Sequence, residues 1–224
     1  MKSHPDQDTS YSVNEYFITE SLLDTVKLAS VECKHDPFDY VVLPGFIQKD
    51  ALEKINLSYP DIKKPGSFLY QKLTFGPAFQ TLTEELQGPA MKTAIEKVFN
   101  IDLTDRPTTL TIRGQCQKKD GRIHRDSIEK IITVLIYMNS DWEGAGGRLR
   151  LLRSCNDIEN FVVEVPPDEG TLIAFRRSNN SWHGHQPFVG PRRVIQLNWV
   201  ADKRYVKNEK RRHTISGFFK KLGF

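Results

Sequence analysis

The sequence from Thr108 onward alternates short apolar segments with turn residues, and this pattern limits the fold more than any other feature. Seven segments rich in β-branched and aromatic residues follow one another, each closed by Gly, Pro, Asn or Asp. Strands of this length and spacing are typical of an all-β sandwich or barrel. About seven or eight strands suit a double-sheet jelly roll. We therefore predict a mainly β fold with flanking helices and a double-stranded β-helix (jelly-roll) core.

The residues before this core predict helices that cover one of its outer faces. Phe38–Ile47 has a β-branched run stopped by Pro-Gly, which indicates a strand and a turn. Lys49–Leu57 predicts a short helix with Asp50 near its start. Thr81–Asn100 has apolar residues at helical spacing, and Gly88-Pro89 divides it into two helices.

These patterns predict one domain with two extensions. We assign residues 1–11 to a disordered N-terminus, because they are polar and lack periodicity. Residues 12–202 form a single domain, with helical and strand support over 12–107 and the jelly-roll core over 108–202. Residues 203–224 are dense in lysine and arginine with interleaved apolar residues, which favours a basic helical extension.

Composition excludes several classes of protein. The 224 residues are 38% hydrophobic and 27% charged, as in an ordinary globular protein. No apolar run approaches the roughly 18 residues of a membrane helix, and the N-terminus lacks a secretory h-region. Three widely spaced cysteines indicate neither a disulfide framework nor a zinc ribbon. We therefore expect the protein to reside in the reducing cytoplasm. Oligomeric state stays open.

Two motifs carry metal-binding side chains. His124 and Asp126 stand two apart, so on a strand they point to one face. Alone, this pair is more often a surface ion pair. About sixty residues downstream, His183 and His185 also stand two apart, near the end of another strand. Two histidines and one carboxylate would form the facial triad that holds iron(II) and leaves positions open for co-substrate and dioxygen.

An arginine forms the third element. With period two, Arg193 shares a strand face with Ile195, Leu197 and Trp199, which indicates an interior face. A buried guanidinium needs a partner, and a carboxylate ligand can supply one. We therefore expect Arg193 to point inward and Arg192 to point to solvent.

Taken in order, these motifs resemble the iron(II)/2-oxoglutarate-dependent oxygenases. The segments Thr133–Leu152 and Gly170–Trp199 are similar to the prolyl 4-hydroxylase branch of that superfamily. The resemblance covers about residues 108–200.

The resemblance implies a set of ligands and roles. His124, Asp126 and His183 would bind Fe(2+), and His185 would be a neighbouring pocket residue. Arg193 would bind the distal carboxylate of 2-oxoglutarate, with help from the hydroxyl of Tyr137. The implied reaction is hydroxylation with O2 as co-substrate, releasing succinate and CO2. It is compatible with ascorbate as a further cofactor. The presence of Asp126 favours hydroxylation over the halogenation of related enzymes that lack this carboxylate.

The substrate stays open between a prolyl peptide and an anionic sugar or lipid-linked molecule. We expect Arg113, Gln115, His185 and Trp199 to line the substrate pocket. The alternative function is a metal-retaining jelly-roll binding or regulatory module, whose basic tail binds nucleic acid or membrane. The tail alone is insufficient evidence for a nucleic-acid partner, and we expect none.

Overall fold

The computed structural model describes residues 21–140 and 142–211. The predicted disordered segment 1–11 lies outside them, as does 212–224 of the predicted basic extension. Residues 203–211 are helical. Among the described residues, no helix is long and apolar enough to cross a lipid bilayer.

Two antiparallel sheets and four α-helices, besides the helical residues 203–211, build the described part of the fold. The helices are α1 (Thr25–Ser30), α2 (Lys49–Ser58), α3 (Pro77–Leu86) and α4 (Pro89–Phe99). The strands are β1 (Tyr40–Leu43), β2 (Phe68–Leu69), β3 (Thr108–Cys116), β4 (Lys130–Tyr137), β5 (Leu149–Leu152), β6 (Phe161–Val165), β7 (Leu172–Arg176), β8 (His183–His185) and β9 (Gly190–Val200).

The helices and strands predicted from the sequence agree with the observed helices and strands. The break at Gly88-Pro89 separates α3 from α4, where Pro89 begins the second helix because proline is tolerated in a first turn. The seven predicted core segments form β3 to β9. The short α1 and β2 are additions that the sequence pattern did not predict.

The larger sheet has the strand order β1-β7-β4-β9-β3-β2, and the smaller has β6-β5-β8. The larger sheet is apolar on both faces. Ile132, Val134 and Ile136 of β4 pack into the core shared with the helices. Tyr137, which follows Ile136 and points to the opposite face, packs into a second core, which lies between the two sheets. The predicted jelly-roll core with helices on one outer face is therefore confirmed.

Candidate active site

The central cavity opens between the two sheets and is built from both of them. The chain after β3 returns along β8, where Gly121 accepts a hydrogen bond from the backbone N–H of His185 at 2.9 Å. A Cβ at Gly184 would lie 2.8 Å from the Gly121 carbonyl oxygen, so glycine permits this close approach. The cavity has an empty volume of about 590 Å³, its open mouth included. Its lining includes His124, Asp126, His183, His185, Arg113, Arg192, Phe175 and Val194.

Three metal-binding side chains meet in this cavity. One ligand atom from each of His124, Asp126 and His183 lies within 4.8 Å of the others. Asp126 and His183 are buried, whereas His124 is exposed at the mouth. Two imidazoles and one carboxylate are the donor set of a facial iron(II) site, and these residues therefore fit the metal.

Hydrogen bonds orient both imidazoles. The Nδ1 atom of His183 lies 3.0 Å from the Ser181 carbonyl oxygen, and that of His124 lies 2.9 Å from the Arg122 carbonyl oxygen. A carbonyl only accepts, so each Nδ1 carries the proton and each Nε2 keeps a free lone pair. Such outer hydrogen bonds fix the tautomer that a metal ligand needs.

Burial and charge keep the buried ligands in their metal-binding forms. Burial lowers the pKa of His183 to about 4, although the Asp126 carboxylate opposes this effect, so His183 is neutral at pH 7. Burial would raise the pKa of Asp126, but Lys130, His183 and a hydrogen bond from Thr133 outweigh it and lower the pKa to about 2. Lys130 Nζ lies 2.8 Å from Asp126 Oδ1, and Thr133 Oγ1 donates to Oδ2 at 2.6 Å.

Arg192, and not Arg193, faces this cavity. Arg192 is 6% exposed and lines the cavity with Val194 and Gln196. Its Nε donates to the Gly147 carbonyl oxygen at 2.7 Å, and its NH2 group donates to the Tyr137 hydroxyl at 3.4 Å. Within the described residues it forms no ion pair with a carboxylate, which leaves it available for an anionic ligand.

The assignment of Arg193 to the cavity is therefore wrong. Arg193 does share a face with Ile195 and Leu197, but that face packs against the helices. Its exposed guanidinium lies over the Tyr59 ring at 5.1 Å. The assignment failed because the more apolar face of β9 is the helix-covered outer face, whereas the mixed face encloses the cavity.

The predicted pocket residues divide into two groups. Arg113 and His185 line the cavity as expected. Trp199 does not, because it shares the outer face and packs into the helical core. Gln115 is also absent from the lining, since the register of β3 against β9 shifts between Arg113 and Gln115.

The sequence pattern missed four residues around the site. Lys130 and Thr133 hold Asp126, and Phe175 packs against the His183 ring at 4.7 Å. Cys116 is buried near Arg113 and Arg192, and burial raises its pKa. Lys130 stands four residues after Asp126, which is the one spacing that could have indicated this ion pair.

Comparison with known proteins agrees with this geometry. Residues 114–201, which include the three clustered residues and Arg192, match the family model of the 2OG-Fe(II) oxygenase superfamily. Over these residues the chain is similar to the 2OG-Fe(II) oxygenase superfamily. This similarity implies Fe(2+), 2-oxoglutarate and O2, and the cluster of His124, Asp126 and His183 fits the iron. No curated protein matches the sequence of this chain.

Several solved structures are similar to this chain at low sequence identity. An oxidoreductase of the 2OG-Fe(II) oxygenase family from Burkholderia pseudomallei is 12% identical, with a TM-score of 0.54 over 80% of this chain and 91% of that one. The viral collagen prolyl hydroxylase from Paramecium bursaria Chlorella virus-1, in its 2OG complex, is 15% identical, with a TM-score of 0.50 over 73% and 96%. A Pseudomonas putida prolyl-4-hydroxylase is 14% identical, with a TM-score of 0.49 over 79% and 88%.

Proposed function

We propose that this protein is a 2-oxoglutarate-dependent hydroxylase in which His124, Asp126 and His183 bind the iron and Arg192 binds the distal carboxylate of 2-oxoglutarate. The observation that carries the proposal is the three-ligand cluster, whose donor atoms lie within 4.8 Å in a cavity that Arg192 also lines. Arg192 takes the role that the resemblance gave to Arg193, because the cavity-facing guanidinium is the one that a bound dicarboxylate can reach.

The side chains of the cavity position and shield the reactants. The two Nε2 lone pairs and the Asp126 carboxylate would hold the metal. Arg192 fixes the co-substrate at its far end through charge-assisted hydrogen bonds, supported by Tyr137. The apolar side chains of Leu135, Phe175 and Val194 line the cavity and help to exclude water from it. An iron ion held there together with 2-oxoglutarate would supply the oxidising chemistry, by which O2 hydroxylates a substrate C–H bond and succinate and CO2 are released.

Asp126 supports hydroxylation as the type of reaction. Both of its oxygens are held by neighbouring side chains, so the carboxylate is a fixed part of the cavity. A metal site that keeps this ligand lacks the open position that a halide would need. The product of the reaction would then be an alcohol.

Arg113 bears on the substrate, because its guanidinium lines the same cavity as Arg192. It faces Asp120 at 3.8 Å, which is too long for a direct hydrogen bond. Burial lowers the pKa of Arg113, so a second anionic group in the cavity would stabilise its charge. This favours a substrate with an anionic group, such as an acidic sugar or a lipid-linked phosphate, over an uncharged prolyl peptide.

The test is an anaerobic titration of the metal-free protein with iron(II) and 2-oxoglutarate, followed by admission of oxygen. We expect a weak visible charge-transfer band in wild type, its loss in His183→Ala and its retention in His185→Ala. Oxygen should then release succinate from wild type. A band that survives His183→Ala would contradict the ligand assignment, and a band without succinate release would indicate a binding module instead of an enzyme.

A further inference from the structure

A second group of metal-binding side chains lies outside the central cavity. Cys33, His35 and Asp39 each offer one ligand atom, and these atoms lie within 4.8 Å of one another. The three residues belong to the segment between α1 and β1, and none of them lines the central cavity. The oxygenase reaction makes no use of this cluster.

The local backbone explains why the three side chains meet. Lys34 and Tyr40 exchange two backbone hydrogen bonds, of 2.9 Å and 2.8 Å, across a tight reversal of the chain. Cys33 and His35 flank Lys34, so in this extended stretch both side chains point to the face opposite that of Lys34. The reversal returns Asp39, the residue before Tyr40, to the same place. The arrangement is thus set by paired backbone and does not depend on long, freely rotating side chains.

The donor types point to a borderline soft cation. A thiolate, an imidazole and a carboxylate are all common ligands of zinc, at bond lengths of about 2.0–2.3 Å. In a tetrahedral site such ligand atoms stand roughly 3.5 Å apart. His35 Nδ1 already lies 2.8 Å from Asp39 Oδ1, so small side-chain rotations would bring all three atoms around one ion.

The charges around the cluster are mixed. Arg176 lies 4.0 Å from Asp39 Oδ2, which fixes the carboxylate but also opposes a cation. Arg153 is paired with Asp36 at 2.6 Å, and Lys34 with Glu32 at 2.6 Å, so these basic groups are already neutralised. With one competing guanidinium and three protein ligands, binding should be weaker than at a closed four-ligand zinc site.

We propose that Cys33, His35 and Asp39 bind a zinc-type divalent cation, with solvent as the remaining ligand. The ion would fasten this chain reversal next to the iron site. Phe38 stands beside Asp39 and packs against Phe175 with ring centroids 6.1 Å apart, and Phe175 packs against His183 at 4.7 Å. A cation bound at this cluster would therefore stiffen the packing of Phe175 against His183, a proposed iron ligand, without contacting the reactants.

The test uses Co²⁺ as the probe, added to the metal-free full-length protein. A thiolate bound to cobalt gives a near-ultraviolet sulfur-to-metal charge-transfer band, whereas the His124, Asp126 and His183 cluster contains no sulfur. We expect this band in wild type and in His183→Ala, and its loss in Cys33→Ser. Cys155→Ser is the matched control, because Cys155 is an exposed free cysteine outside the cluster. Circular dichroism checks that each variant is folded.

The two remaining ligands are tested by His35→Ala and Asp39→Asn. Each should weaken cobalt binding by at least about tenfold, and Zn²⁺ should displace cobalt from wild type. The proposal is overturned if no band forms in wild type, or if the band survives Cys33→Ser. It is equally overturned if binding is unchanged in both His35→Ala and Asp39→Asn, because the thiol would then bind alone.

Discussion

His124 and His183 exchange both of their backbone hydrogen bonds, each 3.0 Å long. This pair extends the smaller sheet beyond β8, because residues 121–124 run antiparallel to that strand. Two directly opposite residues of an antiparallel pair place their side chains close together. The imidazole rings consequently lie 4.3 Å apart, centroid to centroid. The spacing of the two proposed iron ligands is therefore set by backbone pairing.

Gly184→Ala should weaken iron binding by separating this pair. A Cβ at position 184 would lie 2.8 Å from the Gly121 carbonyl oxygen and 3.3 Å from the backbone of Ile123, so segment 121–124 must move outward. We expect a lower thermal midpoint and a loss of iron affinity of about tenfold or more. The anaerobic titration with iron(II) and 2-oxoglutarate measures the affinity.

Gly45→Ala is the control for general destabilisation. Gly45 has a φ of +66° and no atom within 4 Å of a Cβ, so alanine adds backbone strain of about 1 kcal/mol without a clash. Both variants should unfold at lower temperature, but only Gly184→Ala should lose iron affinity. Equal loss of affinity in the two variants would show that the backbone pair has no special role.

The strand segments along the chain and the helices on one outer face could be predicted from the sequence, but the face of β9 that encloses the site could not. Period-two alternation groups Arg193 with Ile195 and Leu197 correctly. The alternation does not say whether this face of β9 packs against the helices or against the smaller sheet. Both are possible, because apolar side chains cover the larger sheet on both sides. The resemblance carried by the order of the motifs led to the proposed iron ligands, whereas the position of the arginine depended on tertiary packing.

Arg192→Gln and Arg193→Gln make a matched pair of changes on one strand. Arg192→Gln removes the charged donor in the cavity, and we expect the KM for 2-oxoglutarate to rise about 10- to 100-fold. Arg193→Gln changes an exposed side chain on the other face, so the KM should stay within about twofold. Steady-state succinate release at varied 2-oxoglutarate measures both. A larger effect from Arg193→Gln would restore the assignment made from the sequence.

An irregularity in β3 accounts for the wrong placement of Gln115 and for the missed Cys116. Arg113 and Gln115 would share a face only in a regular strand, and the register shift after Arg113 breaks this alternation. Beyond the shift, buried Cys116 lies near Arg192, whereas Gln115 pairs with Pro191 at the strand edge. A bulge leaves no reliable mark in a single sequence, so the substrate pocket was less predictable than the iron site.

Tyr137→Phe should weaken the support of Arg192 only slightly. The hydroxyl accepts a hydrogen bond from Arg192 at 3.4 Å, which is long, and the ring itself is fully buried. Loss of one such bond corresponds to about 0.5–1 kcal/mol, or about a two- to fivefold rise in the KM for 2-oxoglutarate. The iron affinity should not change. A rise comparable to that of Arg192→Gln would mean that Tyr137 binds the carboxylate directly.

Lys130→Met should destabilise the metal-free protein and increase the stabilisation gained on binding metal. Lys130 and Asp126 form a largely buried ion pair, with side chains 11% and 7% exposed, so the variant leaves a carboxylate without its counter-charge. We expect a loss of about 3 kcal/mol in the free energy of unfolding of the metal-free protein. A divalent cation at Asp126 replaces the missing positive charge. The shift in thermal midpoint on adding iron(II) anaerobically should therefore be larger than in wild type.

The pH dependence of Lys130→Met has a definite sign. The pKa of Asp126 in the folded wild type is lowered to about 2, so its stabilising contribution is present above the pKa of the unfolded chain, near 4. That contribution is lost as the pH falls through the folded value. Without Lys130 the folded pKa rises, so the metal-free variant should differ most from wild type near neutral pH, and the difference should shrink as the pH falls towards 2. Urea unfolding across this range measures it, with Lys63→Met as the control, because Lys63 pairs with Asp61 at the exposed surface. A stability difference that does not change with pH would show that Lys130 acts through packing and not through its charge.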